Sequence, residues 1–236
     1  MDDSLTLVQF PVSHFCLKTR MTLDRKGLVY RKQTVYPLLQ GSVEKLSGQR
    51  KVPVLLVNGR AIPDSTDIAL YLEERYPKPA LIPRHAGHAR RVLLWEDWAD
   101  ESLSFIARDM VYGRLLDHPG LIENFLPAKL RPRTPQPAKQ VAAKLVGALF
   151  TTKFRITRYQ MDRAAVRLPS ALGLIAGEIE KTGYLVGKSL TLADIAVAAG
   201  LDPLRHVKLP ADAPMWDSLF HWADGIREAC RNSRKG

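Results

Sequence analysis

Apolar and polar residues alternate along this chain in two regimes, short extended runs first and helical periods afterwards. Leu5 to Phe10 reads as a buried strand, and Cys16 to Lys26 as a helix stopped by Gly27, a residue suited to a left-handed C-terminal cap. A second extended stretch covers Tyr30 to Tyr36, and the polar Gly41 to Gln49 is a loop or a short helix. Val52 to Val57 is the next strand, with Asn58-Gly59 turning into a partner at Arg60 to Ile62. Pro53 cannot donate to a ladder, so a turn or a cis peptide is expected at that strand's entrance. Asp64-Ser65-Thr66-Asp67 then caps a helix carried by Ile68, Leu70, Tyr71 and Leu72 that ends before Pro77.

Beyond Ile82-Pro83 only helical periods recur. Helices are expected over His88 to Leu116, Pro119 to Leu126, Ala138 to Phe150, Phe154 to Lys181, Leu192 to Leu201 and Met215 to Asn232. The four prolines between Pro127 and Pro137 predict an exposed, extended connector. Trp95 and Trp98 with Glu96, Asp97, Asp100 and Glu101 read as a helix with one packed and one solvated face. Val141, Leu145, Ala148 and Leu149 share a face that is expected to pack into the core.

Composition narrows the class. With 236 residues and 46% hydrophobic composition, the chain can bury one large core or two modest ones. It contains no run of eighteen apolar residues, and Met1-Asp2-Asp3-Ser4 lacks the pattern of a secretory signal, so a cytoplasmic protein is expected. Cys16 and Cys230 are too few and too far apart for a disulfide framework, and reduced thiols are expected. The formal charge of +11 is concentrated: ten basic residues lie between Pro127 and Ser170 against one acid, Asp162. With no recognition helix or stacking module, nucleic acid is not the expected partner, and contact with an anionic membrane surface through 138–167 is the alternative to a core helix. His85 and His88 have no supporting Cys or His cluster, so no metal is expected. A Gly-rich phosphate loop and a Ser-His-Asp arrangement are also absent from the sequence.

The chemistry concentrates at Ser13-His14-Phe15-Cys16, a hydroxyl and a thiol at a helix start. Unpaired N–H groups and the positive end of the helix dipole there suit an anion or a thiolate. Ser13 is equally an ordinary N-cap, and Cys16, in the first turn, equally a partly buried small hydrophobe.

The order β-α-β-α-β-β-α followed by helices, with a proline entering the third strand, resembles the glutathione transferases over nearly the full length. Ser13-His-Phe-Cys16 with Lys18, Arg20, Leu23 and Lys26-Gly27-Leu28 carries this likeness. Val52-Pro53, Asp64-Ser65 with Ile68 and Tyr71-Leu72, and Leu190-Thr191-Leu-Ala-Asp194-Ile carry it further. The resemblance implies a thioredoxin-like N-terminal domain over 1–80 and an all-α domain over 87–236, the basic connector lying near 127–137. It implies glutathione as co-substrate, with Ser13 donating a hydrogen bond to the thiolate and Cys16 as a secondary thiol. Val52, presented by Pro53, would pair with the cysteinyl backbone. Asp64 would meet the γ-glutamyl ammonium, Ser65 its carboxylate, and Arg50 and Lys51 the glycine carboxylate. Most relatives carry Glu where Asp64 stands, and a plain helix cap is the alternative there. His14, Arg108 and Tyr112 are placed by position at the pocket for a hydrophobic electrophile. Thr191 and Asp194 resemble the family's capping box, a folding device. A homodimer is implied too. The alternatives are a non-catalytic binding or scaffold protein of the same fold, and glutathione-dependent isomerisation or peroxide reduction at the same site.

Overall fold

A computed structural model of the chain describes residues 3–36, 41–115, 118–124, 126, 131–206 and 215–233. Its first part is a four-stranded sheet of β1 (Leu5–Gln9), β2 (Arg31–Thr34), β3 (Val54–Val57) and β4 (Arg60–Pro63), in the order β2-β1-β3-β4. β1 runs parallel to β2 and antiparallel to β3, and β3 is antiparallel to β4. Helix α1 (His14–Arg25) makes the β1 to β2 crossover, α2 (Gly41–Ser47) precedes β3, and α3 (Ser65–Arg75) follows β4. β1 reads as apolar nearly throughout because both its faces are covered. Leu5 and Leu7 pack with Leu55, Val57, Leu23, Ile68 and Leu72 on one face, while Val8 and Val54 meet Val35 and Val43 on the other. Asn58 (φ 51°) and Gly59 (φ 86°) make the β3–β4 turn with the two positive φ angles a tight hairpin requires. The Val52–Pro53 bond is cis, and Pro53 stands just ahead of β3, where the ladder asks no donor of it. This is a thioredoxin-like arrangement.

The remainder is helical: α4 (Ala86–Trp98), α5 (Ser104–Arg114), α6 (Gln136–Phe154), α7 (Arg158–Thr182), α8 (Leu192–Leu201) and α9 (Met215–Asn232). A π-helical turn, Ala99–Leu103, joins α4 to α5 into one rod. All ten residues of α8 are buried, as expected of a helix apolar on every side except for Asp194 in its first turn. Its capping box is formed: the Thr191 amide and hydroxyl donate to Asp194 Oδ2 (2.7 and 2.8 Å), and Oδ1 accepts the Leu185 amide (2.8 Å).

Four expectations are corrected. Pro119–Asn124 is a 3-10 turn rather than an α-helix. The connector is not wholly extended: Arg131–Arg133 is another 3-10 turn and α6 begins at Gln136, Pro137 fitting its first turn, while 127–130 lie outside the described residues. On α6 the buried positions are Ala143, Gly147 and Phe150, whereas Val141 (58%), Leu145 (66%) and Leu149 (40%) are exposed. Small side chains let the helix lie close to its neighbours on that face, and the larger apolar stripe is left outside. Finally, Glu96 sits on the packed face of α4, not the solvated one.

The cause is Lys18. Its side chain, 1% exposed, points from α1 at α3 and α4. Nζ donates to Glu96 Oε1, to Asp100 Oδ2 (2.7 Å) and to Thr66 Oγ1 (3.2 Å), and the Thr66 hydroxyl donates to Glu96 Oε1 (2.7 Å). A second buried cation repeats the device. Lys26 Nζ donates to Glu73 Oε2 and to the Pro79 carbonyl, and Glu73 accepts the Leu81 and Ile82 amides (both 3.0 Å), so α1, α3 and the segment entering α4 are tied together.

Removing the cation under two carboxylates strands buried charge. Lys18→Met is expected to lower stability by about 3–5 kcal/mol, read in urea unfolding; a loss below about 1 kcal/mol would show that the cluster does not join the two parts. Burial pushes the Asp100 carboxyl above its ordinary 3.8, against the pull of Lys18. Between 3.8 and the raised value the folded chain holds a proton the unfolded chain has released, so this group's contribution to stability falls as pH rises. Asp100→Asn removes that slope, and as pH rises above 3.8 the variant should gain stability relative to the parent; a pH-independent difference would contradict the shift.

Candidate active site

Strand register brings three separated segments to one end of the sheet. Val8 of β1 pairs with Val54 of β3, and Val54 pairs with Pro63 of β4. The chain leaving β1 toward Ser13, the Val52–Pro53 bond entering β3 and the Asp64–Ser65 pair leaving β4 therefore emerge side by side. Two of these exits become helix N-termini, α1 and α3, whose first amides lack intrahelical partners.

Ser13 is the N-cap of α1. Its amide donates to the Phe10 carbonyl (3.0 Å) and its Oγ accepts the Cys16 amide (3.4 Å), so the hydroxyl hydrogen is not used by that cap. Cys16 is fully buried, its Sγ accepting the Phe10 amide (3.4 Å), and burial pushes its thiol up. A sealed, protonated thiol is a packing group. Asp64 adopts φ 70°, ψ 142°, a conformation rarely taken by a residue with a side chain, and its Oδ1 accepts the Thr66 amide (2.8 Å). Ser65 is buried beside it, and Thr66 belongs to the Lys18 cluster, so the N-terminus of α3 is anchored from behind.

Arg50 and Lys51 are exposed, Arg50 Nε donating to Glu44 Oε2 of α2 (2.7 Å). The far end of α6 comes near them: burial, followed by the charges of Arg50 and Lys51, pushes Lys153 down. In the sequence Lys153 reads only as one of the basic residues of the 138–167 stretch.

His14, Arg108 and Tyr112 lie on the helical side. Burial pushes His14 down to about 4, against Asp202, so the ring is neutral at pH 7, and its buried Nε2 has no hydrogen-bond partner among the described residues. Arg108 is paired with Asp109 (2.9 Å), and its guanidinium lies 4.2 Å from the Phe105 ring centroid and 5.0 Å from that of Phe154. Tyr112 stacks on Phe150 (4.6 Å) and Phe154 (5.7 Å), and burial pushes its phenol up to about 12. Arg108 and Tyr112 thus belong to an aromatic layer joining α5 to α6. The phenylalanines of that layer carry no polar signal and read in sequence as ordinary core. Among the described residues no group of three His, Cys, Asp or Glu side chains could hold a metal ion.

Known proteins with this combination are recognisable. A family model described as glutathione S-transferase, N-terminal domain, matches residues 7–80, and one described as glutathione S-transferase, C-terminal domain, matches 140–227. Glutathione S-transferase U25 of Arabidopsis thaliana is 28% identical over 116 residues, 48% of this chain and 52% of that one, so the chain spans about half the length of such plant relatives. A probable maleylacetoacetate isomerase of Vibrio cholerae is 27% identical over 201 residues, 82% of this chain and 78% of that protein. In three dimensions the β-etherase LigF of Sphingobium sp. superposes with a TM-score of 0.72, covering 98% of this chain and 99% of its own at 21% identity. With both of its characteristic halves matched in order, the chain belongs to the glutathione S-transferase family.

Proposed function

We propose that this chain binds glutathione at the end of the sheet where β1, β3 and β4 converge, and that Ser13 donates a hydrogen bond to its thiolate for attack on a hydrophobic electrophile. The convergence of Ser13, Val52–Pro53 and Asp64–Ser65 through the Val8–Val54–Pro63 register carries this reading. An extended tripeptide lying there finds the Val52 backbone at the entrance to β3 for its cysteinyl unit. The α3 N-terminus with Ser65 faces the γ-glutamyl carboxylate, and the Asp64 carboxylate its ammonium. Arg50 and Lys51 take the glycine carboxylate, with Lys153 close by. The α1 N-terminus and the Ser13 hydroxyl lower the thiol's pKa from near 8.5, so that more of it is ionised at neutral pH.

The electrophile is placed against the layer of Phe105, Arg108, Tyr112 and Phe154, with His14 at the start of α1. Neutral His14 and protonated Tyr112 offer hydrogen bonding there rather than charge. Likeness to the Vibrio isomerase over 82% of the chain supports a second reaction on the same thiolate, glutathione-dependent isomerisation, which uses the same groups and returns glutathione unchanged.

Conjugation of glutathione to a generic aromatic electrophile tests the assignment. Ser13→Ala should lower kcat/KM by about 10- to 100-fold and move the acidic limb of the pH–rate profile upward, the cost of one hydrogen bond to a charged sulfur. An inactive parent, or a variant with an unmoved profile, would remove Ser13 from the role. Cys16 and Cys230 are both buried, and burial pushes Cys230 up to about 12. Neither should react with iodoacetamide at neutral pH until the chain is unfolded, as followed by mass spectrometry; rapid native labelling of Cys16 would reopen a redox role.

A further inference from the structure

Helix α6 carries its large apolar residues on the side away from the core. Ala143, Gly147 and Phe150 are buried, and Tyr112 of α5 stacks on Phe150 and Phe154, so that face is closed by protein. Val141, Leu145 and Leu149 stand exposed on the opposite side, with exposed Ala138, Ala148 and Thr152 among them. Repeating every fourth residue, the three large side chains form one row about 12 Å long at the helical rise. A row on the outside of a helix is a ridge, not a groove.

Charge follows the same row. Lys144 and Lys153, both exposed, fall roughly 90° to either side of Leu145, a position from which a lysine stem lies along apolar surface while its ammonium reaches outward. α6 contains no acidic residue. The exposed first turns of α7 repeat the combination: Tyr159 and Val166, two turns apart, lie among Arg158, Arg163 and Arg167, with Asp162 alone against them. Asp162 is already paired with Arg158 (3.3 Å). Among the described residues no helix is long and apolar enough to cross a membrane, so contact with lipid here is contact at the surface.

Two features select the occupant. Every charge on α6 is positive, so a second copy laid face to face would set lysine against lysine, whereas an anionic surface neutralises them. Three large apolar side chains also fall well short of the roughly 20–30 residues a side that a stable protein interface engages. A ridge of leucine and valine edged by lysine instead matches an interfacial helix, whose apolar side sinks to the boundary of headgroups and acyl chains while its cations meet lipid phosphate.

We propose that the exposed face of α6 docks this protein on an anionic lipid surface, with Val141, Leu145 and Leu149 entering the interface and the lysines at its edges meeting the headgroups. The opposite side of the helix stays on α5, so docking needs no unfolding and leaves the aromatic layer in place.

Co-sedimentation of the full chain with vesicles of phosphatidylcholine, with and without phosphatidylserine, tests this at low and high salt. Saturable binding to the phosphatidylserine vesicles is expected, falling as salt rises and absent on phosphatidylcholine alone. Lys144→Gln should weaken it about fivefold, the loss of one cation at the surface, and Leu145→Gln/Leu149→Gln about tenfold or more. Both variants should keep the parent's circular dichroism and thermal midpoint, which separates lost docking from lost fold. Vesicle binding is read without glutathione, so its outcome is independent of the glutathione assignment. Failure of the parent to bind phosphatidylserine vesicles at low salt, equal binding to neutral vesicles, or equal binding by the leucine variant would each overturn the proposal. So would a parent dimer that dissociates in the leucine variant by sedimentation velocity, which would give the row to a second copy.

Discussion

The buried ammonium of Lys18 is the constraint on which the rest of the molecule depends. A desolvated charge is tolerated only where partners surround it, and here the partners come from three elements: Thr66 of α3, Glu96 of α4 and Asp100 of the π turn. Satisfying it fixes α1 against α3 and both against the helical part. Lys26 and Glu73 do the same at the other end of α1. Hydrophobic burial alone would tolerate sliding along these faces; oriented hydrogen bonds to a point charge do not.

That fixed geometry is what a thiolate site needs. Helix N-termini act over about one turn, so α1 and α3 contribute together only if their starts are held side by side. The Thr66 contact sits at the first turn of α3, directly behind Asp64 and Ser65, while Ser13 is little more than one turn from Lys18 on α1. The same burial that anchors these helices silences the chain's own thiol: Cys16 is sealed, its Sγ accepting the Phe10 amide, and burial raises its pKa. That sealing fits the proposed function, in which the reacting sulfur is brought by a ligand.

Much of this was legible beforehand where a residue's role is local. The Val52–Pro53 bond, the Asn58-Gly59 turn, the α8 capping box and the stop at Gly27 depend on backbone chemistry within a few residues, and each appears as expected. The misreadings came where a role depends on distant partners. Glu96 looked solvated because its cation is 78 residues away. Val141, Leu145 and Leu149 looked core-facing because periodicity identifies an apolar stripe but not which stripe is covered, and on α6 the small Ala143 and Gly147 made the closer contact.

The sequence by itself determined the element order and the break between an α/β start and a helical remainder, because period, turn chemistry and capping act between near neighbours. Tertiary structure alone decided which sulfur is sealed, which carboxylates meet Lys18, how Tyr112 and Arg108 join an aromatic layer, and which face of α6 is left exposed. Those outcomes turn on desolvation and on the convergence of residues far apart in the chain, and neither is written into any local stretch of residues.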